Sequence, residues 1–342
     1  MSSAVLTGAG SALPAAIEQD AVWDGFFANH YAGVRAAQRI FAGAGVRRRH
    51  AVASPLDEDL SGWGTGARME RYVQEALPLG KQAVAGALDA AGLAPGEVGL
   101  FAVATCTGYA TPGLDIRLAS DLGMPSGLQR LLVGHMGCYA AIPGLAAVSD
   151  FVTARSRPAV LLCCELTSLH VQPAQRDLEQ VVAHALFSDA AAAVVLEPGA
   201  GRGRRVAGIV ARTDPSTTDH MTWDVTDLGF RMGLSPRVPD VLSRHVGDVV
   251  AELLAGAGLR AEDVAGWAVH PGGPRILDVV QTELGLTDPQ MAASRRVLAE
   301  HGNCSSATVL LVLEELADVD GPVVAMAFGP GLTLYATVLV PA

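Results

Sequence analysis

The chain is nearly without lysine. Lys81 is the single one among 342 residues, and every other basic side chain is arginine. Charge of either sign is sparse at 17%, and aromatic residues make up only 5%. Acidic residues outnumber basic ones, 35 to 24, for a formal net charge of −11. That balance excludes a general nucleic-acid surface, so an anionic ligand needs a local arginine patch. No CxxC and no Cys/His spacing suits zinc, and no metal is expected. The five cysteines, Cys106, Cys138, Cys163, Cys164 and Cys304, are odd in number and suggest no disulfide framework. A reducing cytoplasm is therefore the expected compartment. The opening MSSAVLTGAGSALPAAIEQD lacks the basic stretch of a signal peptide. No apolar run is long and clean enough to insert in a membrane.

What is present is apolar sequence: half of the residues are hydrophobic, enough for a large core. Short β-rich runs at 98–105, 157–165, 190–198, 266–271, 322–329 and 333–341 alternate with helical patterns at 76–93, 139–156, 241–259 and 305–319. Strands alternating with helices predict α/β layers. The two halves share a plan. In each, a strand end, a reactive residue before a helix, and a further strand follow one another. The divide falls near 199–207, giving halves 1–200 and 201–342.

Three glycine-flanked segments carry the chemistry: GHMGCYAA around Cys138, VHPGGP around His270 and EHGNCSSA around Asn303. A thiol at a helix N-terminus meets the positive end of the dipole, which favours the nucleophilic thiolate. A neutral imidazole beside it would hold that thiolate. A carboxamide adds a second donor for a developing oxyanion. Each residue also has a bland reading: buried cysteine, satisfied core histidine, helix-capping asparagine. Together they point to a thioester-forming site that makes carbon–carbon bonds.

In this order and with these flanks, the segments resemble the type III polyketide synthases, the chalcone- and stilbene-synthase-like members of the thiolase fold. The closing AFGPGLTLYATVLV extends the resemblance. It implies a homodimer of αβαβα subunits that takes acyl-CoA and malonyl-CoA without a cofactor, with no nucleic-acid partner. It also implies two gatekeeper rings, Phe187 and Phe230, and cavity positions at Cys106, Thr111, His170, Ser305 and Phe328. Thr111 matches a residue reaching across the dimer, and Glu165 a buried structural acid. Arg39 and Arg49, with Arg35, Arg47 and Arg48 nearby, are expected to hold CoA phosphates, since guanidinium binds phosphate bidentately. Departures from the plant pattern at 106, 111 and 170 point to the bacterial branch. An aliphatic starter leading to a pyrone or resorcinol is favoured, and a malonyl-primed tetrahydroxynaphthalene synthase is the alternative. Rival readings are a ketoacyl-ACP synthase III, a hydroxymethylglutaryl-CoA synthase, a silent thiolase-fold partner and a cysteine hydrolase.

Overall fold

The computed structural model describes residues 3–199 and 202–342. In chain order the strands are β1 (Ala4–Ala12), β2 (Ala16–Glu18), β3 (Arg48–His50), β4 (Leu100–Thr105), β5 (Gln129–Gly134), β6 (Ala159–Glu165), β7 (Ala190–Pro198), β8 (Arg204–Thr213), β9 (Met221–Thr226), β10 (Gly229–Leu234), β11 (Gly266–Val269), β12 (Val323–Gly329) and β13 (Thr333–Pro341). Among the described residues nine of these form one sheet in the order β11-β12-β13-β8-β1-β7-β6-β4-β5. Its middle is a thin seam, because β1 meets β8 only at Val5–Arg205 and Leu6–Arg204.

The same pattern recurs on both sides of that seam. β4 and β6 are parallel, and β7 is antiparallel to both β6 and β1. β11 and β12 are parallel, and β13 is antiparallel to both β12 and β8. β5 is an added edge strand on the first section. Residues 200 and 201, between β7 and β8 in sequence, are not among the described residues, so the proposed divide lies partly outside them.

The layers follow from the two-residue period of a strand. In β6, Val160, Leu162 and Cys164 pack with Ala83, Val84 and Leu88 of the helix Thr65–Ala91. Leu161 and Cys163 point the other way, onto the helices Ala141–Arg155 and Thr308–Glu315. From the far section, Val323, Ala325 and Ala327 reach the same central helices. Val324, Met326 and Val338 face Val246, Val249 and Leu253 of the helix Val238–Gly256. Reading across gives helix, sheet, helix pair, sheet, helix: the expected αβαβα stack. Strands buried on both faces explain the uninterrupted apolar runs.

Three elements differ from expectation. The first long helix begins at Thr65 rather than 76 and runs through Pro78. An interior proline costs about 3 kcal/mol, and burial of Tyr72, Ala76 and Gly80 on the sheet side offsets it. The helix ends at Gly92, whose φ of +70° makes it a left-handed cap. The last helix shortens to Thr308–Glu315, preceded by a 3-10 turn at Ser305–Ala307. The segment Gly137–Arg155 has a mean hydropathy of 1.2, enough by length and composition to cross a membrane. Its apolar character has a different cause here: it lies in the central layer, where Ala141, Ile142, Leu145 and Val148 are core residues. Gly144 lets it approach the sheet, since a Cβ there would lie 2.8 Å from Leu161 Cδ1.

Candidate active site

Cys138 sits in a 3-10 turn, Gly137–Tyr139, that runs into the central helix Ala141–Arg155. Gly137 adopts φ +75°, and a Cβ on it would stand 2.7 Å from Pro330 Cδ. The loop after β12 therefore presses on the turn that holds the thiol. Cys138 is 7% exposed. Burial pushes its thiol up to about 12, with a hydrogen bond involving Ser305 acting in the opposite direction.

His270 follows the end of β11, and its backbone N–H donates to Met326 O at 2.8 Å. It is 1% exposed, and neither Nδ1 nor Nε2 has a hydrogen-bond partner. Burial lowers its pKa to about 3, so the ring is neutral. The ion pair or hydrogen bond expected between this imidazole and Cys138 is thus absent from this structure. Desolvation disfavours the charged form of each group, and no hydrogen bond joins them to offset it. An unsatisfied buried ring is expensive, commonly about 1–3 kcal/mol.

Asn303 comes one residue after Gly302, the φ +70° residue that closes the helix Asp288–His301. Its backbone bridges to the Phe187 segment: Asn303 N donates to Leu186 O at 2.8 Å, and Ser188 N donates to Asn303 O at 3.0 Å. Its Oδ1 accepts from Ser305 N at 2.9 Å. The carboxamide therefore does cap the following turn, as the bland reading holds. That bond also commits the oxygen and leaves the amide N–H groups for another acceptor.

Ser305 joins these parts. It has φ +49°, and its Oγ lies 3.3 Å from Cys106 Sγ. Glu165, fully buried, accepts from Cys106 N at 2.9 Å, Thr107 Oγ1 at 2.8 Å and Ser306 Oγ at 2.5 Å. It ties the loop after β4 to the turn after Asn303. Burial raises its pKa, and these donors act in the opposite direction.

Two cavities adjoin. The smaller one is lined by Cys138, Cys106, Ser305 and Pro330. The larger one is lined by Phe27, His170, His184 and Phe230. Phe187, Trp223, Thr167 and Met232 border both. Phe187 borders both and Phe230 only the larger one, whereas His270 and Asn303 line neither cavity. Phe328 also lies elsewhere, buried in the core beside Met326 and Leu334. Thr111 is exposed and 3.3 Å from Tyr109 Oη, in a loop that touches neither cavity within one chain.

The arginines need one correction. Arg49 was expected at the CoA phosphates, but it is 6% exposed. Its guanidinium donates to Gln19 Oε1, His184 O, Ala185 O and Phe187 O. With its donors spent on carbonyls it fastens the Phe187 segment from behind. Arg47 and Arg48 both pair with Glu300. Arg39 is exposed on the helix Ala37–Ala42. Sequence reasoning also missed Met221, Trp223 and Met232, which stand on the hairpin β9–β10. The signal was there: two alternating runs around Asp227–Leu228.

A buried cysteine at the head of a central helix, with a buried histidine and asparagine on the second section, is the residue set expected of a condensing enzyme of the thiolase-like fold. The comparisons make this specific. Residues 2–200 match the N-terminal domain of the chalcone and stilbene synthases, and residues 209–341 match the C-terminal domain. The chain belongs to this family, the type III polyketide synthases. A 1,3,6,8-tetrahydroxynaphthalene synthase of Streptomyces peucetius subsp. caesius is 39% identical over 308 residues, 86% of this chain and 80% of that protein. The alpha-pyrone synthesis polyketide synthase-like Pks18 of Mycobacterium tuberculosis is 32% identical over 314 residues, with the same coverages. Among solved structures, tetrahydroxynaphthalene synthase from Streptomyces coelicolor superposes with a TM-score of 0.92 at 29% identity, over 98% of this chain and 99% of that one. PKS-I of the brown alga Ectocarpus siliculosus gives 0.93 at 25% identity, over 100% and 99%. Enzymes of this family act on CoA thioesters without a resident cofactor.

Proposed function

We propose that this enzyme extends an acyl thioester held on Cys138 with acetyl units from malonyl-CoA. The observation that carries the reading is the pair of uncommitted donors, the buried neutral His270 and the Asn303 amide. As the thiol attacks an acyl-CoA, its proton passes to His270 and CoA leaves as thiolate. Malonyl-CoA then places its thioester carbonyl against His270 and Asn303. Loss of CO₂ leaves the bonding electrons on the enolate, whose oxygen the two donors stabilise. The enolate carbon attacks the acyl-thioester, and Cys138 leaves. The lengthened chain returns to Cys138 until it cyclises.

The starter follows from the wall of the smaller cavity. Cys106, Ser305 and the indole of Trp223 confine it, and Trp223 Nε1 is fixed to Cys106 O at 2.7 Å. The wall fixed by the Trp223–Cys106 bond and the 39% relative support a malonyl-primed aromatic product. The aliphatic-starter reading rests on the apolar Met221 and Met232 in the same lining and on the Pks18 likeness. Mass spectrometry of products from malonyl-CoA alone, then with fatty acyl-CoAs, separates them. Multi-extension aromatic products without added starter support the first. Products formed only with fatty acyl-CoA reverse the order.

Arg39 is the proposed CoA contact. The homodimer belongs to the same reading. β5 is an edge strand exposing Leu131 and Leu132, with Ile116 and the 64%-exposed Tyr109 also at the surface. Such an edge calls for a covering partner, here a second copy in the cytoplasm. Light scattering on the purified protein tests it, and a monomer at micromolar concentration contradicts it.

A further inference from the structure

Two histidines that the condensation scheme does not use stand beside the segments of Phe187 and Asn303. His50 closes β3, and His301 is the last residue of the helix Asp288–His301. His50 Nε2 lies 3.0 Å from His301 Nδ1, with the ring centroids 5.2 Å apart. Burial holds the pKa of both below the usual histidine range, so both are neutral near pH 7. Pro14 O, 2.8 Å from His50 Nδ1, can only accept, so that nitrogen carries the hydrogen. His50 Nε2 is then the acceptor and His301 Nδ1 the donor. Each ring is fixed in one tautomer.

His50 has a second grip. Its backbone N–H donates to Ser188 Oγ at 2.7 Å. Its carbonyl accepts from Ser188 Oγ at 3.2 Å and from Asp189 N at 2.9 Å. Ser188 follows Phe187 and donates its own N–H to Asn303 O at 3.0 Å. Three segments thus close a ring of contacts: β3 to Ser188, Ser188 to Asn303, and His301 back to β3. Gly302, between His301 and Asn303, has no side chain with which to anchor the turn. A Cβ there would stand 2.9 Å from Ser188 Cβ. Two other ties reach the helix end further upstream. Arg47 N donates to Ala299 O at 2.7 Å, and Glu300 pairs with Arg47 and Arg48. Those guanidinium groups are solvent-exposed, where an ion pair contributes about 0–1 kcal/mol. The imidazole bond, with His50 buried, is the tie from β3 that falls closest in sequence to Asn303.

We propose that His301 is a positioning residue: its bond to His50 fixes the turn at residues 301–303 and so aims the Asn303 amide at the malonyl thioester carbonyl. The inference rests on the polyketide reading above. It places the effect in one step, because decarboxylation needs the Asn303 amide and acylation of Cys138 depends on it far less.

The test measures acetyl-CoA formation from malonyl-CoA and, separately, acylation of Cys138 by an acyl-CoA, in the parent and in His301→Leu, His301→Asn and His50→Phe. His301→Leu removes the donor. The ratio of decarboxylation to acylation is expected to fall about tenfold, because a misplacement of about 1 Å costs up to about 10²-fold. His301→Asn, whose Nδ2 stands near the place of Nδ1, restores a donor and should return the ratio to within about threefold of the parent. His50→Phe breaks the same bond from the other side and leaves the backbone grip on Ser188 in place, so it carries the test if His301→Leu does not fold. Combining His301→Leu with His50→Phe should lower the ratio no further than either alone, since each removes the same bond. An unchanged ratio in the folded variants, with only a lower melting temperature, overturns the inference, and so does an equal loss in both steps. A parent that forms no acetyl-CoA from malonyl-CoA overturns the functional reading instead.

Discussion

Replacing Asn303 with alanine should separate two jobs of one side chain. The first is donation. The Asn303 oxygen is spent on Ser305 N, so the amide N–H groups are what the site can use. Removing one preorganised oxyanion donor costs about 10²–10³ in rate, or ~2.7–4 kcal/mol of barrier. The second job is structural. Ser305 N loses its acceptor while buried, which costs about 1–3 kcal/mol of stability. Ser305 holds a left-handed φ of +49°, so little else favours its turn. The assay is acetyl-CoA formation from malonyl-CoA, run beside acylation of Cys138 by an acyl-CoA, with a thermal melt. Decarboxylation should fall by about 10²–10³ while acylation falls less than tenfold, because donation matters most where charge develops. Decarboxylation within threefold of the parent would refute the assignment. An unchanged melting temperature would refute the structural half.

Four further outcomes follow from the same geometry. His170, His184 and His270 are buried neutral, with pKa values lowered to about 4, 3 and 3. The unfolded chain binds protons below about 6.5 and the folded chain does not, so stability is complete above that pH and lost as pH falls toward 4, by about 1.4 kcal/mol per pH unit for each histidine. Glu165 and Asp189, raised by burial, offset part of the loss at the acid end. Urea midpoints from pH 8 to 5 check this, and a flat profile contradicts it. Gly137→Ala forces a left-handed alanine against Pro330, at about 1–2 kcal/mol of backbone strain plus the contact. Condensation should fall more than tenfold, read as product per active site. Arg49→Met should lower stability by at least about 1–3 kcal/mol, the cost of leaving a buried carbonyl unpaired, without changing the KM for malonyl-CoA. Arg39→Ala should raise that KM and leave the melt unchanged, and the reverse pattern would restore Arg49 to the phosphates.

The parts of the fold that were legible in the sequence share one property. β4, β6, β7 and β12 are buried on both faces, so their apolar runs are unbroken and hard to misread. β9 and β10 are half-exposed and β5 almost wholly exposed, and their signal competes with Asp224, Arg231 and Arg130. The early helix start was hidden because Pro78 reads locally as a first-turn residue, and only packing shows otherwise. The site divides in the same way. Glycine flanks made the Cys138, His270 and Asn303 segments visible, since close turns need glycine whatever surrounds them. The protonation of Cys138 and His270 was not visible, because it depends on burial by residues distant in sequence. Arg49 was misassigned for that reason: its backbone acceptors lie at 184–187, more than 130 residues away.

The most direct test of the central claim is intact-protein mass spectrometry of the enzyme given an acyl-CoA or malonyl-CoA, with peptide mapping of the adduct and Cys138→Ala in parallel. A thioester adduct on Cys138, absent from the variant together with all condensation product, is the expected result. An adduct on Cys106 instead, or normal product from the variant, would contradict it.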